Sequence, residues 1–198
     1  MFYKTDVIIG FLLNVRNRIE MHLNIRKVKN DDLEQLVALI NIAYRTQSSR
    51  SWTTEKDFIC GQRITQQQLS HALEQSRFEL FVAENELGHI IACIGLTFDK
   101  TRVEIGTFAI DPTLQNLGYG REMLHFVEEY VEEYYPAVVS LMMYVLDVRS
   151  ELIAYYQRRG YQVTGRKESY PLEAGVGQPL VPTQLIEMRK LINRNVYR

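Results

Sequence analysis

Apolar and polar residues alternate over Leu23-Asn24-Ile25-Arg26-Lys27-Val28, which predicts a half-buried first strand. Asn30-Asp31-Asp32 then offers capping side chains before an apolar run. Leu33, Leu36, Val37, Ile40 and Tyr44 fall on one face of the helix that follows. A polar stretch over 45–50 leads to Ser51-Trp52-Thr53-Thr54-Glu55, where a short helix capped by Thr53 or Thr54 is expected; another is expected over 65–76. The period then changes to two. Strands over 78–84, 90–98 and 102–110, joined by turns at 85–88 and 99–100, predict an antiparallel meander that Asp111-Pro112 ends.

A long helix follows over about 118–135. Leu124, Val127 and Val131 share one face, and Glu122, Glu128, Glu129, Glu132 and Glu133 lie mostly opposite, which reads as a solvated face. Pro136 stops the helix. The continuous apolar run 138–146 predicts a buried parallel strand, 150–159 a helix closed by Gly160, and 161–164 the start of a further strand. A Gly/Pro-rich loop over 171–182 precedes a last strand over 184–191. The order predicts an α/β fold, a single mixed, mostly antiparallel twisted sheet of about seven strands flanked by helices.

Residues 1–22 stand apart from this pattern. They read as an N-terminal arm, either appended ahead of a native start at Met21 or forming an amphipathic helix packed on the domain, and 23–192 reads as one domain. The run 7–13 is too short to span a bilayer, and no small-x-small cleavage site follows it.

The 198 residues are 46% hydrophobic and 24% charged, which excludes a disordered chain and allows a sizeable core. A net charge of −1 argues against a general nucleic-acid binder, whose affinity rests on phosphate neutralisation. Two cysteines, Cys60 and Cys93, are too few for a disulfide framework, so a reducing cytoplasm is expected. His22, His71, His89 and His125 have no metal-ligand spacing, and no metal is expected.

The chemistry concentrates in 108–121, where a strand runs through a loop with two glycines straight into the long helix. Unpaired amides and the dipole of a helix N-terminus attract an anion, and glycines let the backbone close around it. No Gly-Lys-Ser/Thr follows, so this is not a P-loop. Met123 stands where a dinucleotide fingerprint would have its third glycine.

Gln115-Asn116-Leu117-Gly118-Tyr119-Gly120 resembles the acyl-CoA pyrophosphate loop of the GNAT-type N-acetyltransferases. The strand before it looks like that family's fourth strand. Tyr156, four residues before Gly160-Tyr161, is similar to its second motif. The likeness covers about 23–191. Trp52-Thr53-Thr54-Glu55 with Gly61-Gln62-Arg63 is similar to a recurrent subgroup of undefined acceptor preference. Arg149 departs from the pattern, because many members carry Asn seven residues before the Tyr.

The resemblance implies an acetyl-CoA-dependent N-acetyltransferase without a metal, transferring to a primary amine of a small molecule or peptide in a ternary complex. It admits a homodimer and requires neither nucleic acid nor membrane. Backbone groups of Phe108, Ala109 and Ile110 would hold the pantetheine arm. Gln115, Asn116, Leu117, Gly118, Tyr119, Gly120 and Arg121 would hold the pyrophosphate. Phe108 or Ala109 would donate to the oxyanion.

At pH 7 a Lys-like amine is mostly protonated, and freeing it costs about 4.6 kcal/mol, against about 1 kcal/mol for an α-amine, so a base matters most for basic acceptors. Glu104 aligns with the family's base in histone-type members; its plain alternative is a surface residue paired across the hairpin. Glu55 is a rival base or acceptor-binding residue. Tyr156 is the candidate acid; its alternative is a core aromatic. Trp52 would wall the acceptor pocket or cap the core. An acyl-CoA-binding module without turnover is the competing reading.

Overall fold

The computed structural model describes residues 23–46 and 54–192. The arm over 1–22 and Trp52 lie outside the described residues.

The main sheet has seven strands in the order β1-β3-β4-β5-β6-β9-β7, where β1 is Asn24–Lys27, β3 Phe78–Glu84, β4 Ile90–Asp99, β5 Arg102–Ile110, β6 Ser140–Leu146, β7 Gln162–Ser169 and β9 Gln184–Leu191. Every pairing is antiparallel except β5 with β6. A separate two-stranded ladder joins β2 (Ile59–Cys60) to β8 (Gln178–Pro179).

Helix α1 (Leu33–Arg45) buries Leu36, Leu39, Ile40 and Ala43 against Leu80, Val82, Cys93 and Ala109 on one sheet face. Its i, i+3, i+4, i+7 spacing is what one buried stripe requires. Helix α2 (Gln66–Leu73) starts at a capping box, in which Thr65 Oγ1 accepts from Gln68 N at 3.2 Å and Gln68 Oε1 from Thr65 N at 2.8 Å. Helix α3 (Tyr119–Tyr134) covers the opposite face with Met123, Leu124, Val127 and Val131, all buried. Helix α4 (Ser150–Gln157) adds Tyr155 and Tyr156 to that second core.

Three expectations need correction. Residues 56–58 form one turn, with Phe58 N and Ile59 N both donating to Glu55 O, and no helix follows. The chain must instead extend to pair β2 with β8. The loop over 171–182 is not structureless, since it holds a 3-10 turn (Leu172–Ala174) and β8. The acidic side of α3 is not all solvated. Glu128 turns inward to accept from the buried Tyr161 hydroxyl at 2.9 Å and from Lys190 Nζ at 2.8 Å, because a buried hydroxyl needs a partner.

What positions the site is a defect in the sheet. β5 and β6 pair only through Arg102↔Ser140, Val103↔Leu141 and Glu104↔Met142. Beyond Glu104 they have no paired residues. On its other edge β5 carries a bulge opposite Cys93–Gly95, where Thr107 sits at φ 46°. A β-branched residue in that region costs about 1–2 kcal/mol, and bulges of this kind re-aim a strand beside a functional cleft.

Candidate active site

The divergence of β5 from β6 leaves two adjoining cavities. The larger, about 570 Å³, runs from Phe108 and Ile110 to the start of α3. The smaller, about 240 Å³, lies toward Glu104 and Tyr144. Tyr44, Glu55, Phe108, Leu152 and Tyr156 line both, so the two meet there.

The larger cavity is walled at its far end by the loop 115–118 and the first turn of α3. Asn116 (φ 66°) and Gly118 (φ 98°) are both left-handed and turn the chain sharply into the helix. Gly118 occupies the N-cap and brings no side-chain cap. The Tyr119 and Gly120 amides have no intrahelical partner, whereas Arg121 N donates to Gly118 O at 3.0 Å, and sixteen aligned peptide units add positive potential there. A Cβ on Gly120 would sit 3.5 Å from the Tyr155 hydroxyl and 3.8 Å from Ile110 Cγ1, ordinary contact distances. The protein could therefore hold a methyl here; what glycine leaves open is the cleft.

Arg121, Arg158 and Arg159 stand around the same cavity. Arg159 lies flat on Tyr155, its Cζ 3.4 Å from the ring centroid, and donates from Nη1 to Tyr155 O at 3.0 Å. Its Nε is buried with no hydrogen-bond partner. Three guanidiniums, an orphan N–H and an uncapped helix start suit a polyanionic diphosphate. The unpaired inner edge of β5 suits an extended apolar chain. The residues present thus fit coenzyme A.

At the junction, Tyr156 is buried, and its phenol is pushed up by that burial and by the neighbouring Tyr44 and Tyr155 hydroxyls, more than Arg149 and Arg159 pull it down. It stays protonated throughout the neutral range. Tyr44 donates its hydroxyl to Phe108 O at 2.9 Å, and burial pushes its pKa up to about 12. Cys93 donates to Thr107 O at 3.3 Å from the other side of the bulge. Burial raises this thiol to about 12, against the pull of the Ala109 amide.

Glu104 faces the smaller cavity. Burial, then the charge of Glu168, push its carboxyl up. Among the described residues no hydrogen bond or ion pair involves it. Across the hairpin it faces Thr97, not a cation, and Arg102, two residues away on its own strand, is held by Asp99 at 2.7 Å. Glu55 is placed differently. Its carboxylate accepts from Arg45 Nη1 at 2.7 Å, and the same guanidinium donates to Gly61 O and Val176 O. Arg149 is buried, with Nε on Glu151 and Nη1 donating to Thr54 O at 2.9 Å.

Tyr44, Arg63, Arg158 and Arg159 were not singled out as site residues by sequence pattern. Tyr44 carries the helical spacing of a core residue, and its hydroxyl is what separates it from one. No group of metal ligands occurs among the described residues, and none of their helices is long and apolar enough to cross a membrane.

Solved structures share this architecture. The ribosomal-protein-S18-alanine N-acetyltransferase from Escherichia coli superposes with a TM-score of 0.63 at 17% identity, covering 89% of this chain and 99% of that one. A GNAT family acetyltransferase from Elizabethkingia anophelis with acetyl-CoA bound gives 0.61 at 16% identity, covering 87% and 99%. In sequence, the chain is 38% identical over 82 residues to the uncharacterized protein YdhI of Bacillus subtilis (strain 168), a match spanning 41% of this chain and about half, 49%, of that protein. The family model "Acetyltransferase (GNAT) family" matches residues 34–161. That span exceeds half of the sequence and contains the cleft-forming strand, the loop and Tyr156, and the chain belongs to the GNAT acetyltransferase family.

Proposed function

We propose that this protein transfers an acetyl group from acetyl-CoA to a primary amine of a small molecule or peptide, by direct attack in a ternary complex. The observation that carries the reading is the meeting of the two cavities at Phe108 and Tyr156, with a polyanion cradle at one end and an unpaired carboxylate at the other.

Acetyl-CoA supplies the activated thioester. The chain's own groups do the rest. The amides of 115–121 and the arginines around them anchor the diphosphate, and the inner edge of β5 aligns the arm. Phe108 lines both cavities and Ala109 neither, so Phe108 is the better donor for oxyanion charge. Removing one such donor costs on the order of 10²–10³ in rate. Glu104 accepts the proton that the amine must lose, and its raised pKa brings a carboxylate nearer the range where a base works best. Tyr156 keeps a proton available for the departing sulfur. Glu55, engaged by Arg45, is better suited to holding the acceptor wall in place than to taking a proton. Cys60 and Cys93 are both free thiols, which agrees with the cytoplasm.

The test is thiol release from acetyl-CoA across an amine panel, beside thermal shift with coenzyme A. Saturating ligand at about 100 times Kd stabilises a fold by about 2.7 kcal/mol. Stabilisation with amine-dependent release is expected. Stabilisation without release for any amine would favour a binding module, and the absence of both effects would overturn the reading.

A further inference from the structure

Resting on the reading above, we infer that the acceptor is an amino-acid-type molecule with a carboxylate beside its amine, and that Arg63 in the smaller cavity receives that carboxylate. Arg63 lines this cavity, half-buried, with its guanidinium 5.2 Å from the Tyr44 ring centroid. A guanidinium held over a ring by cation–π attraction keeps N–H groups free for a carboxylate. Among the described residues no carboxylate or carbonyl accepts from this side chain.

The other guanidiniums nearby are occupied. Arg45 is spent on Glu55, Gly61 O and Val176 O, and Arg149 on Glu151 and Thr54 O. Arg63 is nonetheless built in place. Asn41 Oδ1 accepts from its backbone N–H at 2.7 Å, and Asn41 Nδ2 donates to Ile64 O at 2.8 Å, clamping the segment to α1.

Polarity gives the acceptor its direction. Glu104, with the Glu168 charge behind it, repels an anion and attracts an ammonium. Arg63 does the reverse, so a polyamine would meet it as a like charge. Tyr44, which lies between this cation and Phe108 O in the chain of contacts, links it to the junction with the larger cavity. At about 240 Å³ the cavity is smaller than the usual range for drug-sized ligands, which begins near ~300 Å³. A bare amine would leave Arg63 desolvated and unanswered, the situation in which a site discriminates most strongly.

The experiment compares free amino acids with their methyl esters and their decarboxylated amines, reading kcat/KM for acetyl transfer. At least one amino acid should exceed both analogues by about 10²-fold. The ester amine is the less basic of the two, so basicity cannot produce that preference. Arg63→Gln should reduce the preference to within about threefold and Arg63→Lys should keep part of it, because Lys retains the charge without the fork. Esters or simple amines turned over as well as every amino acid would overturn the inference, as would an unchanged preference in Arg63→Gln. If no amine is acetylated, calorimetry on coenzyme A-saturated protein decides. Arg63-dependent binding of an amino acid over its ester supports this inference while the transfer reading fails, and binding without that preference overturns it.

Discussion

The two cavities beside Phe108 are built from different materials. The larger is made mainly by one contiguous stretch, the end of β5, a loop and a helix start rich in main-chain amides, faced by side chains of α4 and by Tyr44 and Glu55. The smaller is made by side chains from α1, from residues 55 and 63, from β5 and β6, and from the segment 170–176. On the proposed function, main-chain chemistry would bind what does not vary between acceptors, the diphosphate and its arm. Side chains from distant segments can vary independently, so specificity belongs on that side.

Substitutions can separate the two. The largest effect is expected at their junction. Tyr156→Phe should lower kcat about 10²-fold, within the usual range for a lost general acid, and leave the Kd of coenzyme A unchanged within a factor of two. Equal turnover in the variant, measured by thiol release, would remove the phenol from the mechanism.

Next comes Glu104. Burial and Glu168 hold its carboxyl above the ordinary range, and a base works only when ionised. Activity should therefore fall as pH drops through that raised value. Glu104→Gln should cost at least about tenfold and abolish this limb. Glu168→Gln removes the repelling charge and should move the limb to lower pH; a shift upward in the kcat/KM profile would contradict the assignment. Stability runs in the opposite direction. The protonated carboxyl is the form the fold favours, so the melting temperature of wild type relative to Glu104→Gln should rise as pH falls through that value.

Gly177→Ala strikes the acceptor side through packing. At φ 102° its Cβ would lie 2.5 Å from Cys60 O and 2.8 Å from Ile59 Cγ2, so β2 and β8 must part. A destabilisation of about 1–3 kcal/mol is expected. The acceptor KM should rise while coenzyme A binding holds. Gly120→Ala is the converse and the mildest. Its Cβ meets only ordinary contacts within the fold, so the melting temperature should barely move, while coenzyme A affinity falls because the methyl enters the cleft. Unchanged affinity would mean that the phosphates lie elsewhere.

The same division governs what could be read from residues alone. Phe108 to Arg121 was legible because its parts are adjacent in the chain and its glycines mark where the backbone must approach a ligand. The strands were legible from alternation and, for β6, from a continuous apolar run, and the splay of β5 from β6 was not, because no period announces the end of their pairing at Glu104 or the bulge at Thr107. Tyr44 carried the spacing of a core residue. Arg45 and Gly177 act through partners more than a hundred residues apart. Arg63 stood in a polar stretch whose only structural mark is the Asn41 clamp one helix away. The short helix expected near Thr54 failed because a capping residue permits a helix and does not impose one, and the pairing of Ile59–Cys60 with Gln178–Pro179 took precedence.

The central claim is that amides at the head of α3 hold a diphosphate and direct an acyl arm along β5 toward Tyr156. A crystal structure with coenzyme A bound tests it most directly. The diphosphate is expected within hydrogen-bonding distance of the amides of 117–120, and the thiol beside the Tyr156 hydroxyl. A ligand bound elsewhere, or a cleft filled by the protein's own side chains in that complex, would contradict it.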